Sequence, residues 1–169
     1  MAWGIISLIQ TGKFSSVVVA SGAIAGLVAI TPAAGHVGVL SSLAIGALAG
    51  ILCYLAVQIR AKTTVDDALE VFAIHGVGGI WGALATGIFA SAAIGSGVEG
   101  AIYGNIKQLG IQAAGVGATI GYSFVVSFLI LKILDFIPGL GLRVTNPFED
   151  EGLDVSLHGE RAYVGDGAD

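Results

Sequence analysis

His75 is the residue whose type and position most directly suggest chemistry. It stands in an uncharged stretch from Val71 to Val98, long enough for a helix that crosses a bilayer. An imidazole there costs free energy unless it meets a partner or a water-filled passage, so a titratable group in such a stretch marks a candidate functional site. Imidazole can both accept and donate a proton near neutral pH, and so can relay a proton or orient a small polar ligand. The structural alternative is a histidine that bonds a neighbouring backbone carbonyl and only fixes packing. No His, Cys or carboxylate follows His75 at the third or fourth position, so a metal site is not expected; no cofactor is expected either.

The residues around His75 sharpen this reading. Gly76, Gly78 and Gly79 follow it, and each glycine costs a helix about 1 kcal/mol relative to alanine. A bundle tolerates that for close helix approach or for a narrow, smooth-walled passage. Asp66, Asp67 and Glu70 precede it. The two aspartates suit a helix start, where carboxylates cap free amides and complement the dipole. Glu70 lies one turn deeper, with bonding to backbone groups inside the bundle left open. His36 and His158 read as solvated surface histidines. Trp3, Trp81, Phe89 and Tyr103 are either interfacial anchors or ordinary packing residues. No paired-carboxylate geometry, nucleophile elbow or phosphate-cradling loop occurs, so an enzyme is not expected.

The composition states what kind of scaffold must carry these residues. Of 169 residues, 55% are hydrophobic and 11% charged, against about 25% charged in soluble domains. Mean hydropathy is +0.90. This excludes a disordered chain, and one cysteine excludes a disulfide framework. Without basic runs, nucleic-acid binding is not expected. The net charge of −5 is uneven. Residues 1–137 balance Lys13, Arg60, Lys62, Lys107 and Lys132 against Asp66, Asp67, Glu70, Glu99 and Asp135, whereas the other seven of the twelve acids lie from Glu149 to Asp169. A neutral, bilayer-embedded body and a wet, acidic tail follow.

Charge-free windows predict an all-α, polytopic transmembrane helix bundle. Helices are expected over Ser15–Ile30, Val37–Ile59, Asp67–Ala90 and Leu109–Phe136, with turns at Thr31–Gly38, Ser91–Lys107 and Ile137–Gly141. His75 would then sit about 12 Å into the third helix, near the bilayer midplane. Residues 1–10 read as the end of a truncated transmembrane helix, 11–137 as a four-helix membrane part and 138–169 as a tail. Lys13, Arg60, Lys62, Lys132, Arg143 and Arg161 fall on one side and only Lys107 on the other, which places the tail in the cytoplasm of a multi-pass cell-membrane protein. Small residues four apart, notably Gly22 with Gly26 and Gly78 with Gly82, predict close helix packing.

Three stretches resemble one family in order and spacing: VASGAIAGLVAITPAAG (19–35), TTVDDALEVFAIHGVGGIWG (63–82) and GLRVTNPFEDEGLDVSLHGERAYV (141–164). They resemble the Amt/Mep/Rh ammonium transporters. The resemblance implies the C-terminal part of an eleven-helix fold, built from two inverted halves, with one hydrophobic pore per subunit of a homotrimer. It implies that His75 is the second of two pore histidines and Val71 a pore-wall residue. Asp66 and Asp67 match the family's acidic pair, and Glu70 stands where an aspartate is expected. In the tail, Gly152, Asp154, His158 and Glu160 match a regulatory signature that packs under a neighbouring subunit and answers to a PII-type signal protein. The implied function is ammonium/ammonia transport across the membrane. The competing expectation is a truncated, non-transporting membrane protein that only binds transporter subunits or such a regulator.

Overall fold

A computed structural model describes residues 1–95, 97–144 and 146–160. Among these residues every regular element is helical and no strand occurs. The chain divides into two compact units, Met1–Ile120 and Gly121–Asp169. The first unit holds α1 (Ala2–Thr11), α2 (Ser16–Ile30), α3 (Val39–Arg60), a π turn (Phe72–Gly76) that continues into α4 (Val77–Phe89), and a short 3-10 turn (Ala101–Tyr103). The range of α5 (Ile106–Phe136) passes the division.

Local chemistry accounts for the helix ends. Gly12 takes the left-handed conformation (φ 69°), and its amide donates to the Leu8 carbonyl, which stops α1. Ser15 opens α2 by accepting the Val18 amide at 3.2 Å. Pro32 supplies no amide to continue it, and the Thr31 hydroxyl folds back onto the Leu27 carbonyl at 2.7 Å. Three of the four expected helices start and stop within a few residues of their expected limits. The third does not. Asp67 to Glu70 lie outside the helix, which begins at Val71. The Asp67 carboxylate already accepts several of the helix's first free amides from a distance, so no helical turn is built upstream of it.

The core of the first unit combines small residues with a few large ones. One buried cluster joins Trp3, Ala25, Cys53, Tyr54 and Ile74; a second joins Ala29, Ala33, Ile45, Ala49 and Ala85. Trp3 meets Tyr54 edge-on at 5.7 Å between ring centroids. Alanines and glycines here let backbones meet directly, the packing that serves where lipid removes the hydrophobic drive between helices. A Cβ on Gly82 would overlap the Ala29 carbonyl oxygen and lie 2.9 Å from Pro32 Cγ, so α4 can cross α2 at this point only with glycine. A Cβ on Gly22 would stand 2.8 Å from Trp3 Cβ. Gly26 and Gly79, also expected on packed faces, have nothing within 4 Å. Four residues advance a helix by 400°, so the second member of a pair is turned about 40° away from the first. Whether a neighbour lies there is decided by helix crossing.

Among the described residues, three helices are long and apolar enough to cross a membrane: α3, Phe72–Phe89 and α5. With 15 residues, α2 spans about 22 Å, short of the ~30 Å hydrocarbon core. In the second unit, Phe124 and Phe128 stack along α5, and α6 (Asn146–Glu151) is followed by a second π turn, Asp154–His158. Arg143 pairs with Glu149. Gly152 (φ 97°) and Gly159 (φ 66°) supply the left-handed bends on either side of that turn. The Ser156 hydroxyl donates to the Gly152 carbonyl at 2.9 Å, and the Glu160 amide to the Asp154 carbonyl at 3.0 Å. Arg161 and the Ala162–Tyr163 part of the tail signature lie outside the described residues.

Candidate functional site

The site forms where α3 turns back to the helix that carries His75. Arg60, the last residue of α3, reaches across the turn to Glu70. Its Nε donates to Glu70 Oε2 at 3.1 Å, and Nη2 donates to Oε1. This two-point fork is the geometry in which guanidinium matches carboxylate best. Glu70 is the one non-glycine residue with positive φ among the described residues, at 55°. That conformation costs an ordinary residue about 1–2 kcal/mol, so the fold must hold it there. Its carbonyl accepts the Ile74 amide at 2.8 Å, which makes Glu70 the first acceptor of the helix. Glu70 is therefore a hinge in front of the helix, where a place one turn inside it was expected.

Asp67 serves the amides that Glu70 does not. Its Oδ1 accepts Val71 N–H at 2.7 Å; its Oδ2 accepts Phe72 N–H at 2.9 Å and, at a longer 3.4 Å, Ala73 N–H. One carboxylate thus satisfies three of the amides a helix start leaves free. Asp66 is exposed and makes no side-chain hydrogen bond among the described residues, so the two aspartates do different work.

The first turn is a π turn. The Val77 amide donates to Phe72 O, five residues back, and the Ile74 carbonyl accepts the Cys53 thiol from α3 at 3.6 Å. π turns are rare and occur often at functional sites. His75 lies within this turn and is exposed, as are Val71 and Phe72. Counted from Val71, His75 is about 6 Å into the helix, half the depth expected, because the helix starts four residues late. A Cβ on Gly76 would stand 3.1 Å from the Phe72 ring, and one on Gly78 3.2 Å from Val28 and 3.3 Å from Cys53 Sγ. Gly78 therefore lets the His75 helix close on α2 and α3. Ile74, the residue before the exposed His75, is buried in the core. Ile74 and Glu70 also line a cavity of about 410 Å³ with Trp3, Ser7, Lys13 and Tyr54. No group of three or more His, Cys, Asp or Glu suited to a metal occurs among the described residues.

Residues 1–163 match the Ammonium Transporter Family. The chain belongs to that family. It is 45% identical over 162 residues to Ammonium transporter Amt1 of Archaeoglobus fulgidus, covering 96% of this chain and 40% of that protein. It is 49% identical to an ammonium transporter of Aquifex aeolicus, covering 38% of that protein. The crystal structure of Saccharomyces cerevisiae Mep2 superimposes with a TM-score of 0.81 at 38% identity, over 86% of this chain and 34% of that one. The chain thus spans about two fifths of the length of these curated relatives. Its helical fold is that of the Ammonium Transporter Family over the part it covers, and it is a membrane protein.

Within the family fold, the other singled-out residues separate. Gly22 packs on α1, whereas Gly26 and Gly79 meet open space. His36, expected on the surface, is half-buried: its carbonyl accepts the Ser91 amide at 2.8 Å, and Gly95 packs against its ring. Trp81 is a packing residue, partly buried against the second core cluster and donating from Nε1 to the Ile45 carbonyl at 3.0 Å. His158 is exposed in the second unit. Two residues of the site escaped sequence reasoning. Arg60 was legible only as a basic residue for orientation, and Cys53 only as a lone cysteine. Their partners stand ten and twenty-one residues away, with no motif linking them.

Proposed function

We propose that the chain forms part of an ammonium transporter and contributes a pore-lining histidine, His75, with Val71 on the pore wall. The exposure of His75 beside Val71 and Phe72 carries this reading. A histidine ring on an apolar helix stands uncovered with its apolar neighbours in a chain that spans about a third of the Mep2 structure it resembles. The substrate is ammonium/ammonia. Burying an ammonium ion in an apolar passage is costly, and loss of its proton relieves that cost. An imidazole at the passage accepts a hydrogen bond from ammonia or passes the proton on. This role is transport and not covalent catalysis.

The same reading places the protein in the cell membrane, with the Lys13, Arg60–Lys62 and Arg143 side in the cytoplasm. The complete protein is a homotrimer, and the segment with Gly152, Asp154, His158 and Glu160 meets a neighbouring subunit or a PII-type protein. Ammonium uptake into proteoliposomes tests the core of the proposal, using the chain alone and joined to the N-terminal part of a relative such as Amt1. Uptake is expected only in the fusion, and His75→Ala is expected to lower it at least tenfold without changing assembly. Equal uptake by the His75→Ala fusion would remove His75 from the pathway. No uptake by any fusion would favour a product that binds subunits or a regulator only.

A further inference from the structure

We propose that Arg60 and Glu70 are positioning residues: their ion pair holds the backbone that sets the π turn, and through it the orientation of His75. The proposal rests on the reading of His75 as a pathway group, but its primary test does not depend on transport. Three observations converge on Glu70. Its side chain takes the two-point Arg60 fork. Its backbone is held left-handed, alone among the described non-glycine residues. Its carbonyl is the first acceptor of the helix, receiving Ile74, the residue directly before His75.

The pair ties the end of one packed helix to the start of the next. Both side chains are about a quarter exposed (26% and 25%), so the pair is less open to salt screening than a pair on the free surface. Without the fork, only the turn bond from the Glu70 amide to the Asp67 carbonyl at 3.0 Å is left to offset the cost of the left-handed conformation at a glutamate. A relaxed Glu70 would join the helix, draw Asp67 away from the amides of Val71, Phe72 and Ala73, and let the π turn rewind as α-helix. Removing one residue from a turn rotates what precedes it by about 100° relative to α4. The Val71–Phe72–His75 face would lose its present arrangement, while Gly78 keeps α4 docked on α2 and α3. Sequence spacing does not show this pair, because Arg60 ends α3 and Glu70 stands just before the next helix, with the turn between them.

The test uses the 169-residue chain in lipid bilayers, read by NMR at fixed pH. The readouts are hydrogen exchange at the Val71–His75 amides and the ring signals of His75, with the Ile45–Ala49 amides of α3, in the second core cluster, as an internal control. Arg60→Gln and Glu70→Gln are each expected to speed exchange at Val71–His75 at least tenfold and to move the His75 ring signals, with the control amides unchanged. The exchanged pair, R60E/E70R, is expected to restore both readouts toward the original. Should the glutamine variants unfold, Arg60→Lys decides: it keeps the charge but not the fork, and a smaller loosening confined to Val71–His75 is expected. Unchanged exchange and ring signals in all single variants, or an exchanged pair no better than the singles, would overturn the proposal. In the transporting fusion each glutamine variant should lower uptake several-fold and the exchanged pair recover it. Absence of uptake in the unsubstituted fusion would count against the transport reading and leave the NMR result standing.

Discussion

At the scale of single residues, the carboxylates before His75 show how one chemical group takes three roles within five positions. Asp66 is solvated, Asp67 caps three amides, and Glu70 binds Arg60 from a left-handed backbone. Sequence reasoning identified all three as belonging to the helix start, because acidic residues belong at helix N-termini. It could not divide the work among them, since that depends on where the helix begins, and a capping side chain can act from outside the helix. Asp67→Ala is expected to destabilise the chain by about 1 kcal/mol, within the ~0.5–2 kcal/mol of other N-cap losses. Asp67→Asn, which keeps an acceptor, should lose less. Unfolding of the purified chain in mixed detergent micelles measures both, and an Ala variant as stable as the parent would show that water replaces the cap.

At the scale of elements, glycine placement separates helices that must touch from helices that only look as if they should. The four-residue spacing of small residues was legible in the sequence, but the spacing repeats on more faces than there are neighbours. Gly82 sits against the Ala29 carbonyl, whereas Gly26 and Gly79 face open space. Gly82→Ala is therefore expected to cost about 1–3 kcal/mol through forced separation of α2 and α4. Gly79→Ala in the same chain should be neutral or stabilising by up to about 1 kcal/mol, since alanine is the better helix former. Thermal unfolding of the two variants side by side checks the contrast. Equal effects would mean that the α2–α4 contact yields to a methyl group.

At the scale of the whole chain, apolar surface dominates. No residue of α5 is buried, and large side chains such as Phe72, Leu40, Phe124 and Phe136 are exposed. Patches of this kind call for lipid or for protein contact. The chain is expected to stay monodisperse only in detergent or bilayers and to aggregate when detergent is withdrawn, as size-exclusion chromatography would show. A stable, detergent-free monomer would contradict the membrane assignment.

Much was readable from residues alone. Charge-free windows separate the apolar segments that need lipid from the polar turns, because the cost of placing charge in hydrocarbon acts on each segment independently of its neighbours. Proline and glycine placed several helix ends for an equally local reason. Family membership followed from ordered motifs, and His75 stood out because its type conflicts with its surroundings. The tertiary structure alone decided the rest. It moved the start of the His75 helix to Val71, wound its first turn as π, brought Arg60 to Glu70 and Cys53 to Ile74, and chose which glycines are contacts. Each of these joins residues through space, and such pairings depend on how helices cross.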